Sequence, residues 1–138
     1  MCSLVYLASP YTHEDSKVME SRFVDTQRAC AVLLSFKIPV FSPTVYAHPM
    51  AVDYELPRDF NFWGEFNKSV LEGATDLIIL QLPGWEKSIG IKGEMKFFNS
   101  LADGWYTDGF AREIYYVNMD EIKAWHRDGI CGSFRWKP

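Results

Sequence analysis

Cysteine is scarce, and its placement excludes several classes of protein. The chain has three cysteines, Cys2, Cys30 and Cys131, which are odd in number and far apart. They form neither a disulfide framework nor the closely paired spacing of a zinc site. We therefore expect a protein of a reducing compartment that binds no metal.

Long apolar runs and clusters of basic residues are also absent. No apolar run approaches the roughly 18 residues of a membrane-spanning helix, and the first residues lack the charged-then-apolar order of a signal peptide. Fourteen Lys and Arg against eighteen Asp and Glu give a net charge of −4, with no basic face for a nucleic-acid backbone. We expect a cytoplasmic protein that binds neither a membrane nor a nucleic-acid polymer.

Aromatic and apolar residues, in contrast, are abundant. The 138 residues are 48% hydrophobic and 16% aromatic, with five tryptophans, enough for the core of one domain over residues 1–138. The aromatic residues either line a pocket for a flat ligand or form a subunit interface, and composition does not choose between these.

Apolar segments with strand and helix character alternate along the chain. We predict strands at residues 3–8, 38–42, 77–82 and 113–117, and helices at about 14–36, 59–73, 90–103 and 120–127. The alternation predicts an α/β fold, a flavodoxin- or Rossmann-like open parallel sheet of four to five strands with helices on both faces. Strand order 2-1-3-4 would place the segments 6–12 and 85–94 opposite each other, at the switch point where ligands bind.

Residues 75–98 combine a buried strand, a loop and the start of a helix. Pro83-Gly84 ends the strand, and apolar residues recur at helical spacing after Gly90. Unpaired N–H groups at a helix start favour anions, and Ser88 adds a hydroxyl donor. Ser88 and Gly90 therefore either form a phosphate site or only cap the helix and permit a tight turn.

Glu94 lies in the first turns of the same helix. The helix dipole favours an ionised carboxylate there, which suits a nucleophile or base better than a proton donor. The alternative is a solvent-exposed helix glutamate without a special role.

Several further residues are candidates for ligand contact. Residues 43–58 contain three prolines and no sustained period, which predicts a loop with at most a turn of helix. His48 in that loop either contacts the ligand or holds the loop. Trp63, Phe66 and Trp85 either stack on a nucleobase or belong to the core. Tyr6 and Tyr11, near the end of the first strand, either orient a carboxylate or contact a sugar.

Three segments together resemble a known superfamily. They are Val5-Tyr6-Leu7-Ala8-Ser9-Pro10-Tyr11, Ser42-Pro43 with His48, and the run from Leu82 to Glu94, LPGWEKSIGIKGE. Over about the first hundred residues, the chain resembles the nucleoside 2-deoxyribosyltransferase superfamily, and more narrowly its DUF1937-like branch. The Ser-x-Gly-x-x-x-Glu element is also similar to that of the 2′-deoxynucleoside 5′-monophosphate N-glycosidases.

The resemblance implies functional roles for residues of this chain. It implies that Glu94 is the nucleophile and that Ser88 and Gly90 contact a 5′-phosphate. Asn67 stands where family members usually carry an aspartate that contacts the sugar or assists the leaving base, and Thr12 stands where the monophosphate hydrolases carry an arginine. We also assign Tyr6 to the catalytic group, and the following residues to the substrate site: Ser9, Tyr11, His48, Trp63 and Trp85.

The implied activity is hydrolysis or transfer at the N-glycosidic bond of a nucleoside or nucleoside 5′-monophosphate, through a covalent glycosyl-enzyme and without a cofactor. The alternative is a non-catalytic module that binds or senses a nucleotide or an ADP-ribose-like ligand. Members of the superfamily are typically oligomeric, so the resemblance implies a homo-oligomer, and Trp105, Tyr106 and Phe110 are candidates for its interface.

Overall fold

Strands and helices alternate in the computed structural model, which describes residues 4–102 and 112–129. The strands are β1 Val5–Ala8, β2 Val40–Phe41, β3 Asp76–Leu80 and β4 Glu113–Val117. The helices are α1 Ser16–Ser35, α2 Pro43–Tyr54, α3 Phe60–Leu71, α4 Ile89–Ala102 and α5 Met119–Asp128, with a 3₁₀ turn at Trp85–Lys87. The proposed interface residues Trp105, Tyr106 and Phe110 lie outside the described residues.

The described strands form one parallel sheet in the order β2-β1-β3-β4. Val5 of β1 pairs with Val40 on one side and with Asp76 on the other. The predicted open α/β sheet and its strand order are therefore confirmed. The loops that follow β1 and β3 leave the same edge of the sheet side by side, at the switch point.

Helices cover both faces of the sheet, as predicted. Val5 and Leu7 of β1 belong to a buried cluster that includes residues of α1 and α5. Tyr6 and Ala8 point the other way, into a cluster with residues of α3 and α4. This alternation, with a period of two, places the phenol of Tyr6 on the side of α3 and α4.

The prediction of a loop over residues 43–58 is wrong, because α2 occupies Pro43–Tyr54. Pro43 sits in the first turn, where a missing N–H costs nothing, and the side chain of Ser42 caps the helix by accepting from Val45 N at 3.1 Å. Pro57 follows the end of the helix, so only Pro49 lies in its interior. His48 consequently belongs to a helix.

Arg22 of α1 connects the loops that follow β1 and β3. Its guanidinium donates to the carbonyl oxygens of Tyr11 at 3.3 Å, Thr12 at 3.1 Å and Pro83 at 3.1 Å. Burial lowers the pKa of Arg22. Gly84 follows Pro83 with a φ of +91°, and a Cβ there would lie 2.9 Å from Nη2 of Arg22. Two features of position 84 therefore favour glycine: the positive φ, and the lack of room for a Cβ beside Arg22.

No helix of the described ranges is long and apolar enough to span a membrane.

We predict that Gly84→Ala destabilises the fold more than the matched change Gly129→Ala. Gly129 also has a positive φ, of +69°, but nothing lies within 4 Å of a Cβ built there. Gly129→Ala should cost about 1 kcal/mol of backbone strain. Gly84→Ala should cost about 1 kcal/mol more, because Arg22 must move and give up a carbonyl partner. Urea unfolding measures both losses.

An Arg22→Ala background provides the control for that comparison. In it, the extra loss from Gly84→Ala should disappear, because the guanidinium is gone. Equal losses for the two glycine variants in the otherwise unchanged chain would contradict the role assigned to Arg22.

Candidate active site

A cavity of about 580 Å³ lies at the switch point, within the size range of small-molecule sites. The loops after β1 and β3, together with parts of α2, α3 and α4, form its walls. It brings together seven of the ten residues assigned from the sequence: Ser9, Tyr11, Trp63, Asn67, Ser88, Gly90 and Glu94. The other three, Tyr6, His48 and Trp85, lie outside the lining. Tyr6 contacts it through Glu94, and His48 contacts it through Tyr11.

Glu94 is a buried member of the cavity wall. It is 5% exposed, which makes the alternative of a solvent-exposed helix glutamate wrong. The phenol of Tyr6, itself fully buried, donates a hydrogen bond to Oε2 of Glu94. The other carboxylate oxygen, Oε1, lies on the side of Gly90, where a Cβ built on that glycine would be 3.8 Å away. One oxygen is therefore held, and the other lies near Gly90, which also lines the cavity.

The ionisation of Glu94 is set by two opposing effects. Burial raises the pKa of its carboxyl to about 7, and the hydrogen bond from Tyr6 lowers that pKa in part. The helix dipole, expected to favour the ionised form, is thus outweighed by desolvation. Burial, and next the charge of Glu94, raise the pKa of Tyr6, so this residue stays a neutral hydrogen-bond donor. Near neutral pH, Glu94 exists in both protonation states.

The start of α4 forms one side of the cavity. The hydroxyl oxygen of Ser88 accepts from Ile91 N at 3.2 Å, so Ser88 caps the helix while its own O–H is left to donate. Lys87 also lines the cavity beside Ser88. Arg58, which the sequence had suggested with Lys87 as a source of positive charge, and Arg22, which it had not, also line the cavity.

Asn67 presents an unsatisfied acceptor. It lies on α3, is 8% exposed and lines the cavity. Its Oδ1 is buried and accepts no hydrogen bond from the chain as described. Because an unpaired buried acceptor costs about 1–3 kcal/mol, a donor on a bound ligand is the natural partner for it.

The aromatic residues separate into one wall residue and two packing residues. Trp63 lines the cavity, and its indole N–H donates to the carbonyl of Pro57 at 2.7 Å. Phe66 stacks on Tyr46 with ring centroids 5.4 Å apart, and Trp85 contacts Tyr116. Of the three, only Trp63 lines the cavity, although Phe66 meets its ring edge-on with centroids 6.0 Å apart.

His48 connects two other polar residues behind the cavity wall. Its Nδ1 lies 2.5 Å from the hydroxyl of Tyr11, and its Nε2 lies 2.6 Å from Oε2 of Glu20. The imidazole is 3% exposed and stacks on Phe23 with centroids 4.5 Å apart. Sequence reasoning missed Glu20, because on α1 it is one polar residue among many and only the presence of α2 brings His48 to it.

No metal-binding group of three or more His, Cys, Asp or Glu side chains occurs within residues 4–102 and 112–129.

The fold and the cavity together define a class of protein. The chain is an open parallel α/β domain with a buried carboxylate in the wall of a cavity at its switch point. The chain belongs to the family described as "Domain of unknown function (DUF1937)", whose model matches residues 3–104. No curated protein matches the chain significantly.

We predict that Glu94 makes the protein less stable as the pH rises. The unfolded carboxyl loses its proton near pH 4.5, whereas the folded one keeps it until about pH 7. Between these values the folded state binds more protons, so the free energy of unfolding falls as the pH rises. Urea unfolding at pH 4.5 and pH 8 should show a loss of about 3 kcal/mol relative to Glu94→Gln.

The variant Glu94→Gln keeps the shape of the side chain and removes only its titration, so other titrating groups cancel in the difference. A constant difference in stability between the two proteins across this pH range would contradict a raised pKa for Glu94.

Proposed function

We propose that this protein cleaves the N-glycosidic bond of a nucleoside or nucleoside 5′-monophosphate. The observation that carries the proposal is the buried Glu94, held by Tyr6 at the wall of a cavity of about 580 Å³. A desolvated carboxylate beside a ligand cavity is a poised nucleophile. The resemblance to the nucleoside 2-deoxyribosyltransferase superfamily agrees with this use of the residue.

The proposed mechanism has two steps. Ionised Glu94 attacks the anomeric carbon through an oxocarbenium-like transition state while the bond to the base breaks. The resulting glycosyl ester then passes to water or to a second base, with overall retention of configuration. The phenol of Tyr6 holds Oε2 during attack, and it stabilises the carboxylate that is released when the ester is cleaved.

A 5′-phosphate fits the charged side of the cavity. The hydroxyl of Ser88 is left to donate, and Lys87, Arg22 and Arg58 line the same cavity. These groups offer positive charge although Thr12 replaces the arginine expected from the resemblance. We therefore propose nucleoside 5′-monophosphates as the preferred substrates.

A second candidate function is binding or sensing of a nucleotide or an ADP-ribose-like ligand without turnover. The carboxamide of Asn67 favours it, because an amide can hydrogen-bond a ligand but cannot act as a general acid near neutral pH. The same cavity would then close on a ligand that remains intact.

We also propose a cytoplasmic homo-oligomer. Exposed aromatic residues on α2 and α3 support the assembly, since Tyr46 is 49% exposed, Phe62 49% and Phe66 39%. Such residues are enriched at subunit interfaces. Sedimentation velocity on the full chain tests this, and a monomer at all concentrations would contradict it.

We predict that the protein releases free base from at least one member of a panel of ribo- and deoxyribonucleosides, each with and without a 5′-phosphate. Glu94→Gln should lower that rate by about 1,000-fold or more, because the nucleophile is lost. Chromatography of the released base measures it. The matched control is Glu86→Gln, which removes an exposed carboxylate outside the cavity lining and should keep the rate.

Two outcomes separate the candidate functions. If no member of the panel loses its base but a nucleotide raises the melting temperature, the binding module is supported and the enzyme is rejected. If Glu94→Gln retains full base release, Glu94 is not the nucleophile.

A further inference from the structure

Three polar side chains form a continuous hydrogen-bonded chain beside the cavity. Glu20 of α1 contacts Nε2 of His48 on α2 at 2.6 Å, and Nδ1 of His48 contacts the Tyr11 hydroxyl at 2.5 Å. Tyr11 belongs to the loop after β1 and lines the cavity, whereas Glu20 and His48 do not. The hydrogen-bonded series therefore ends at the cavity, on Tyr11.

The other end of this hydrogen-bonded series, Glu20, is exposed to solvent. The side chain of Glu20 is 60% exposed, while that of His48 is 4% exposed and has both ring nitrogens engaged. The ring of Phe23 stacks on one face of the imidazole, and Tyr11 meets it edge-on, with centroids 5.4 Å apart. The imidazole is thus fixed between a solvent-exposed carboxylate and a cavity-lining phenol.

The proposed reaction needs a proton donor for the departing base, and the other polar groups of the cavity wall are poorly suited. Asn67 is an amide, and Tyr6 is committed to Glu94. The carboxylate of Asp59 caps α3 by accepting from Phe62 N at 2.9 Å. His13 is a competing proton donor among the described lining residues, and its Nδ1 accepts from the N–H of Asp15 at 2.9 Å.

We propose that Tyr11 is the general acid of the N-glycosidase, with His48 and Glu20 as positioning residues that replenish its proton. This inference rests on the proposed function of the same cavity. Family members usually carry a carboxylate where this chain has Asn67. Here the Tyr11 phenol, hydrogen-bonded to the His48 imidazole, would donate the proton in its place.

The proton transfers balance across the two steps. As Oε1 of Glu94 bonds to the anomeric carbon, the electron pair of the breaking C–N bond goes to the base, which takes the proton of the Tyr11 hydroxyl. Protonated His48 passes its Nδ1 proton to the phenol oxygen and becomes neutral, with its Nε2–H donating to Glu20. In the second step, the attacking water returns a proton along the same path and restores the imidazolium.

The test compares two leaving groups in the full-length protein. The probes are 2′-deoxyguanosine 5′-monophosphate and its 7-methyl derivative, whose base already carries a positive charge and departs without a proton. Tyr11→Phe and His48→Gln should slow release of guanine by about 100-fold or more, and release of 7-methylguanine by no more than about threefold. Glu20→Gln should show the same selectivity with a smaller loss.

The controls separate chemistry from folding. Tyr46→Phe removes the same atom from an exposed tyrosine outside the cavity lining and should change neither rate. Thermal melts of every variant check the fold, with Tyr11→Phe as the most conservative change. His13→Gln tests the competing acid and should not show the selective loss.

The outcomes distinguish failure of the N-glycosidase activity from failure of the acid role of Tyr11. A wild-type protein that releases base from neither probe rejects the acid role of Tyr11 for this purine nucleotide, and release from no member of the whole panel rejects the glycosidase as well. If the wild-type protein is active and Tyr11→Phe slows both probes equally, the glycosidase stands and the acid role of Tyr11 is rejected. Selective loss in His13→Gln, and not in Tyr11→Phe, assigns the acid to His13 and also overturns the proposal.

Discussion

The hydrogen bond from Tyr6 to Glu94 links the central strand to the carboxylate of the cavity. Burying a carboxylate costs free energy, which appears as a pKa raised to about 7, and the buried phenol offsets only part of that cost. The strand's alternation fixes on which face Tyr6 lies, and packing of α3 and α4 against that face leaves Glu94 next to it. The fold thus holds the Glu94 carboxylate, whose burial costs stability, beside Tyr6 at the wall of the cavity.

Much of the architecture could be predicted from local pattern. The apolar run that became β3 and the alternation of strands with helices gave the parallel sheet and its order, which the structure confirms. α2 could not be predicted in this way, because three prolines within residues 43–58 argue statistically against a helix. Pro43 in fact starts the helix and Pro57 follows it. The position of a proline relative to the helix ends, and not the number of prolines, determines whether a helix can form.

Only part of the candidate site could be predicted from the sequence. The start of a helix after a buried strand pointed to Ser88, because that position has a physical reason to bind anions. The role of Glu94 as nucleophile came from the family resemblance and not from its spacing. The burial of Glu94 could not be predicted, since it depends on Tyr6, which is 88 residues away in the sequence. The same limit hid the contact of Glu20 with His48. Such contacts come from helix packing and leave no spacing signal along the chain.

A trapped glycosyl-enzyme would decide whether Glu94 is the nucleophile. A 2′-fluoro-arabinosyl nucleotide slows both steps, because fluorine destabilises the oxocarbenium-like transition state. A readily departing base on this probe keeps the first step faster than the second, so the ester accumulates. Mass spectrometry of the intact protein should show the added sugar phosphate, and peptide mapping should place it on Glu94 and find none in Glu94→Gln. Release of base without any adduct, or an adduct on another residue, would contradict a Glu94 nucleophile.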